Sequence, residues 1–225
     1  MRINVTKCMG TERLVKSENM LILTSSSNFV TQDFAAHLPK KPQDLRVTFI
    51  PTAAKVERGD LKWLSDDRKA LTDLGFPVTD FTLTGKSIRE TKQVLDTTDL
   101  VFVAGGNTFF LLQEMNKSGF SQLIKEYVHK GMIYVCSSAG SVVAGPDIGL
   151  IDILDEREMA PELSSDEALA LTDVVIFPHW GSPYFKDDYV KGAEAVCKTG
   201  QKIILLTDDQ YLLVEGERYS IESIG

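Results

Sequence analysis

The sequence predicts an α/β fold: a doubly wound, mostly parallel sheet with helices on both faces. Three observations carry that reading. Several short runs are apolar at nearly every position (Val101-Phe-Val-Ala104, Ile133-Tyr-Val-Cys136, Ile203-Ile-Leu-Leu206), the pattern of strands buried on both sides. These runs alternate with longer amphipathic stretches, and β–α alternation leads to parallel strands joined by crossover helices. Gly75, Gly119, Gly131 and Gly200 follow predicted helices, where a left-handed C-cap residue is wanted.

The elements follow in order. Residues 1–19 precede the first buried run and are expected to be an N-terminal appendage to one α/β domain spanning 20–225. Strands are expected over 20–24, 45–51, 78–83, 100–104, 132–137, 174–178 and 202–206, with a further apolar strand over 211–214. Each is rich in β-branched or aromatic residues. Glu215-Gly216-Glu217 then reads as a hairpin turn. Helices are expected over 59–74, 87–95, 108–117, 121–130 and 185–199. In the first of these, Leu61, Leu64, Leu71 and Leu74 share a face, while Lys62, Asp66, Asp67 and Lys69 lie largely elsewhere. The acidic stretch 152–166 reads as a surface excursion between strands, an arm or flap.

Composition narrows the function classes. A chain of 225 residues with 43% hydrophobic and 25% charged residues has ordinary globular usage, which excludes disordered and fibrous classes. Its net charge of −8 argues against a nucleic-acid partner. No apolar run approaches the ~20 residues of a membrane span, and the N-terminal residues lack the apolar core of a secretion signal. Three widely spaced cysteines (Cys8, Cys136, Cys197) fit a reducing compartment, so a cytoplasmic location is expected. With three histidines and no CxxC or HExxH spacing, neither a metal nor a cofactor is expected.

In open α/β sheets, ligands bind beyond the carboxyl ends of the strands. The segments there are Ser25-Ser26-Ser27, Thr52-Ala53-Ala54, Gly105-Gly106-Asn107, Ser138-Ala139-Gly140, His179-Trp180-Gly181 and Thr207-Asp208-Asp209. A serine, a histidine and an acid thus fall on one rim. The segment 132–145 reads as strand, abrupt turn and helix, and a nucleophile in such a turn needs small residues two before and two after it. Ser138 has Cys136 and Gly140 at those places, a better fit than Ser137 (Val135, Ala139) or Cys136 (Tyr134, Ser138). A helix N-cap serine is the competing structural explanation. Gly105-Gly106 opens a helix and suits an oxyanion hole or a phosphate cradle, without the spacing of a nucleotide-binding loop. His37 and His129 fall at helix ends, so elimination leaves His179 as the base. Asp208 and Asp209 both remain open as the acid that orients it, or as turn residues.

The strings Val103-Ala-Gly-Gly-Asn-Thr-Phe109, Ser138-Ala-Gly140, Pro178-His179 and Leu206-Thr-Asp208 resemble the peptidase E (aspartyl dipeptidase) family of serine peptidases, which includes cyanophycinases. Leu21-Ile-Leu-Thr-Ser25 and Phe49-Ile-Pro-Thr-Ala53 extend the resemblance over about residues 20–214. It implies a flavodoxin-like, class I glutamine amidotransferase-like three-layer sandwich. It also implies Ser138 as nucleophile, His179 as base, Asp208 as acid where some relatives carry glutamate, and the N–H groups of Gly106 and Ala139 as the oxyanion hole. Two departures stand out. Cys136 replaces the usual glycine before the turn, and no arginine lies between Arg157 and Arg218, where relatives that take an N-terminal aspartate carry one. Asn107, Trp180 and Tyr184 are the candidate substrate contacts. A serine peptidase acting on short peptides is therefore expected, as a monomer or small homo-oligomer. The competing classes are an amidase or esterase on the same residues and a non-catalytic ligand-binding protein.

Overall fold

The computed structural model describes residues 19–185 and 200–224. Nine strands are present among them: β1 (Met20–Thr24), β2 (Val47–Ile50), β3 (Val78–Asp80), β4 (Leu100–Val103), β5 (Ile133–Ser137), β6 (Val174–Phe177), β7 (Lys202–Leu205), β8 (Gln210–Glu215) and β9 (Arg218–Ser223). Seven form one sheet in the order β3-β2-β4-β5-β1-β8-β9, and β6 and β7 form a separate two-stranded ladder. β3, β2, β4, β5 and β1 run parallel, whereas β8 and β9 are antiparallel additions at one edge. The sheet is mostly parallel, as expected of strands separated by helices.

The pleat explains why the central strands are apolar throughout. On β4, Val101 and Val103 enter one core while Leu100 and Phe102 enter the other; on β5, Tyr134 and Cys136 divide from Ile133 and Val135 in the same way. One core is covered by α3 (Ile88–Leu95), α4 (Thr108–Lys117) and α5 (Phe120–His129), through side chains such as Leu95, Phe109, Leu112 and Ile124. The other is covered by α1 (Ser27–Phe34) and α2 (Lys62–Asp73), through Val30, Phe34 and Leu71. Helices on both faces of the sheet give three layers.

Several boundaries tighten relative to the sequence pattern. The helix expected from residue 59 begins at Lys62, whose backbone N–H donates to Asp60 Oδ1 at 2.9 Å. The strand expected over 78–83 stops at Asp80; among the described residues β3 is an edge strand, paired to β2 alone. The helix after Ser138, α6 (Ala139–Val142), is a single turn ended by Gly145-Pro146. The helix expected over 185–199 falls almost wholly outside the described residues.

The acidic excursion is not a free arm. Arg157 holds both its ends, donating from Nε to Asp152 at 2.9 Å and from Nη1 to Asp166 at 2.6 Å. The guanidinium also lies 4.3 Å from the centre of the Phe109 ring. Asp155 Oδ2 accepts the Thr108 N–H at 2.8 Å, at the start of α4. The Arg157 pairs close the segment on itself, and the Phe109 and Thr108 contacts hold it to the body.

Candidate active site

Five strand ends bring the rim residues together: Ser25 after β1, Gly105 and Gly106 after β4, Ser138 after β5, His179 after β6 and Asp208 after β7. The turn at Ser138 is strained, with φ 47° and ψ −110°, a backbone region that costs on the order of 1–3 kcal/mol outside glycine. Its N–H donates to Thr24 O at 3.0 Å. The need for a small residue two places on is steric: a Cβ on Gly140 would lie 2.4 Å from Val103 O and 2.9 Å from Cys136 Cβ. Cys136 is fully buried, with Sγ 3.2 Å from Ser141 Oγ, and burial pushes its thiol up to about 12. A thiol held that far from ionisation is no rival nucleophile.

Ser138 Oγ lies 2.9 Å from His179 Nε2, and His179 Nδ1 lies 2.7 Å from Asp208 Oδ1. With Asp208 ionised, Nδ1–H donates to the carboxylate and the Nε2 lone pair faces the serine hydroxyl. His179 and Asp208 become neighbours because β6 and β7 pair in register beneath them. Leu206 N–H donates to Phe177 O at 3.0 Å, and Trp180 N–H to Leu206 O at 2.9 Å. Burial raises the Asp208 carboxyl, but the hydrogen bond and charge of His179, with a hydrogen bond from Ser25, outweigh it and hold the group below its ordinary range. Asp209 instead accepts from the Thr207 hydroxyl and is exposed. Phe185 stacks on the His179 ring at 5.2 Å.

Gly105 and Gly106 sit beside this group for want of side chains. A Cβ on Gly105 would lie 3.2 Å from Ser138 Cβ, and one on Gly106 would lie 2.4 Å from the Ala53 carbonyl carbon. Gly106 also has φ +123°, which L side chains rarely adopt. Ala139 opens the helical turn directly after Ser138.

The group opens into a cavity of about 390 Å³. Trp63, Tyr184 and Phe185 form apolar parts of its wall, and Glu57, Asp67 and Asp155 add carboxylates. Burial raises all three, Asp67 to about 6, despite the Asn28 N–H that Asp67 Oδ1 accepts at 3.0 Å. Among the described residues, no lysine or arginine lines the cavity.

Of the three candidate substrate contacts, only Tyr184 lines this cavity. Asn107 is the N-cap of α4: its Oδ1 accepts from Phe110 N–H and its Nδ2 donates to Glu156 O, both at 2.9 Å. Trp180 packs edge-to-face on Phe177 at 6.2 Å, within a small cluster that includes Leu150 and Val175. Four wall residues, Trp63, Asp67, Asp155 and Glu57, had no sequence signal beyond ordinary amphipathic or acidic patterning. Ser25 lay on the predicted rim without an assigned role.

The model of peptidase family S51 matches residues 21–222. The chain belongs to this family. An S51 peptidase is a serine-type enzyme acting on peptides, and relatives of the chain carry peptidase names. An uncharacterized peptidase of Pasteurella multocida is 34% identical over 82% of this chain and 86% of its own. Peptidase E of Haemophilus influenzae is 31% identical over 78% of this chain and 77% of its own. A crystal structure of a peptidase E-type protein from Listeria monocytogenes superposes with a TM-score of 0.86 at 31% identity, covering 92% of this chain and all of that one. This S51 peptidase thus shares its mostly parallel α/β sandwich with that structure. Among its described residues, no helix is long and apolar enough to cross a membrane.

Proposed function

We propose that this S51 peptidase hydrolyses short peptides by acyl transfer through Ser138, His179 and Asp208. The observation that carries the reading is the unbroken hydrogen-bond chain from Ser138 Oγ through the imidazole to Asp208, opening on a cavity sized for a small ligand. His179 Nε2 takes the Ser138 proton as Oγ attacks the scissile carbonyl, and the carbonyl oxygen becomes an oxyanion. The N–H groups of Gly106 and Ala139 hold that charge, each worth roughly 3–4 kcal/mol. The imidazolium, balanced by Asp208, then protonates the leaving amine. Water, deprotonated by the same histidine, attacks the acyl-enzyme and releases the second product.

The cavity wall bears on preference. Arg157, the nearest arginine in sequence, is committed to Asp152 and Asp166 and stacked on Phe109. With carboxylates and no cation among the described lining residues, selection of an N-terminal aspartate has no counter-charge to rest on. The test is hydrolysis of a dipeptide library by purified protein beside Ser138→Ala. The variant is expected to stay folded and to lose at least ~10⁴ in kcat; near wild-type turnover would refute the proposal.

A further inference from the structure

Ser25 is fully buried at the end of β1, and its one hydroxyl touches two members of the proposed triad. Oγ–H donates to Asp208 Oδ1 at 2.8 Å, and the same oxygen accepts the backbone N–H of His179 at 2.6 Å. Its 3.4 Å approach to His179 Nδ1 is a secondary contact, because the single hydroxyl proton is already committed to Asp208. The bonds close a ring. His179 N–H points to Ser25, Ser25 O–H to Asp208, and Nδ1–H of the same histidine to the same carboxylate oxygen.

Two features give that ring a purpose. His179 has φ 60°, a left-handed backbone uncommon outside glycine that persists only where its surroundings hold it. The histidine and the acid also ride on the β6–β7 ladder, whereas Ser138 ends β5 of the seven-stranded sheet. The 2.9 Å contact between Ser138 and His179 therefore depends on how the two ladders dock. β1 pairs directly with β5, Thr24 opposite Ser137, so Ser25 is anchored beside the nucleophile.

We propose that Ser25 is a positioning residue of the peptidase: its hydroxyl locks the His179 backbone and the Asp208 carboxylate into one unit at fixed distance from Ser138. Its O–H also takes part of the negative charge of Oδ1, which tempers the hold of Asp208 on the Nδ1 proton. Among the described residues, Asp155 lines the same cavity, and the charge of His179 favours its ionisation; Glu57 and Asp67 add the other carboxylates of the wall. Removing the hydroxyl leaves these carboxylates in place, so a difference in imidazole titration between wild type and Ser25→Ala reports on the tie that Ser25 makes.

The inference rests on the proposed hydrolase reading, and the test separates the two. Sites are counted with a fluorophosphonate that labels reactive serines, and turnover is expressed per labelled site for wild type, Ser25→Ala and Ser25→Thr. Ser25→Ala is expected to lose about 10–100-fold in kcat with KM changed less than about threefold, the scale found when a partner that orients a metal-ligating histidine is removed. Its acid limb in the kcat/KM profile is expected to move to higher pH, because Asp208 with one donor fewer favours the imidazolium. Ser25→Thr, which keeps the hydroxyl, is expected to recover most of the loss. Unchanged turnover per site and an unmoved limb in Ser25→Ala would overturn the proposal, as would a Thr variant as slow as Ala at wild-type thermal stability. A wild-type protein that neither labels nor hydrolyses would refute the hydrolase reading instead. The pH titration of the His179 ring by NMR then decides the Ser25 tie without turnover: a higher midpoint in Ser25→Ala supports it, and an unchanged midpoint overturns it.

Discussion

Replacing Asp208 by asparagine tests the acid with almost no change in shape. Oδ1 accepts two hydrogen bonds, from His179 Nδ1 at 2.7 Å and from Ser25 at 2.8 Å, and an amide oxygen can still accept both. What disappears is the charge that balances the imidazolium in the transition state. The alternative amide rotamer would present NH₂ to Nδ1 and impose the wrong tautomer. In the Ser-His-Asp template, the same substitution lowers kcat by about 10⁴. Here the Asp208 side chain keeps 39% of its surface in water, so solvent replaces part of the lost stabilisation. The expected fall is therefore ~10²–10⁴ in kcat, or roughly 3–5.5 kcal/mol. Thermal stability should barely move, since the fold loses no packing. Asp209→Asn is the matched control. That carboxylate is exposed and bonded to Thr207, so kcat should stay within about twofold of wild type. Steady-state hydrolysis of a dipeptide by both variants, with melting curves, is the assay. A silent Asp208→Asn would reduce the proposed triad to a dyad, and the reverse ranking would move the role to Asp209.

Three further outcomes are expected. Asp67, buried with its carboxyl raised to about 6, binds a proton more tightly folded than unfolded, so stability falls as pH rises from about 4 to about 7. Asp67→Asn keeps an acceptor for Asn28 N–H and should be more stable than wild type above pH 7 by up to about 3 kcal/mol, with no difference near pH 4; a variant less stable at pH 7.5 in thermal melts would contradict this. Preference for Asp-X dipeptides should stay within about tenfold of other N-terminal residues, under ~1.4 kcal/mol, and a kcat/KM ratio above a hundredfold would mean that a cation reaches the cavity. Activity should persist in EDTA, since the proposed nucleophile is activated by an imidazole; abolition by chelator and recovery with a divalent ion would contradict that mechanism.

The sheet was legible because its central strands are buried on both faces, and runs as short and as rich in β-branched and aromatic residues as Leu100-Val-Phe-Val103 favour a strand over a buried helix. The site was legible where local sterics leave a trace. Gly140 is small because Val103 O and Cys136 crowd it, and that crowding is what singled out Ser138. What stayed hidden depends on contacts far apart in sequence. Ser25 and Asp208 are 183 residues apart, and Asp67 enters the cavity from a helix whose pattern marks it as a polar position. Asn107 shows the converse: a polar residue on the predicted rim whose amide caps a helix. The excursion ending at Asp166 does lie at the surface, but polarity alone does not reveal the contacts of Arg157 with Phe109 and of Asp155 with Thr108 that hold it down.

The central claim is that Ser138 forms the bond to substrate, and the most direct measurement is mass-spectrometric mapping of the protein after reaction with a fluorophosphonate. The account predicts one adduct, on the peptide containing Ser138, lost in Ser138→Ala and blocked by prior protonation of His179 at low pH. An adduct on another residue, or labelling that survives Ser138→Ala, would contradict it.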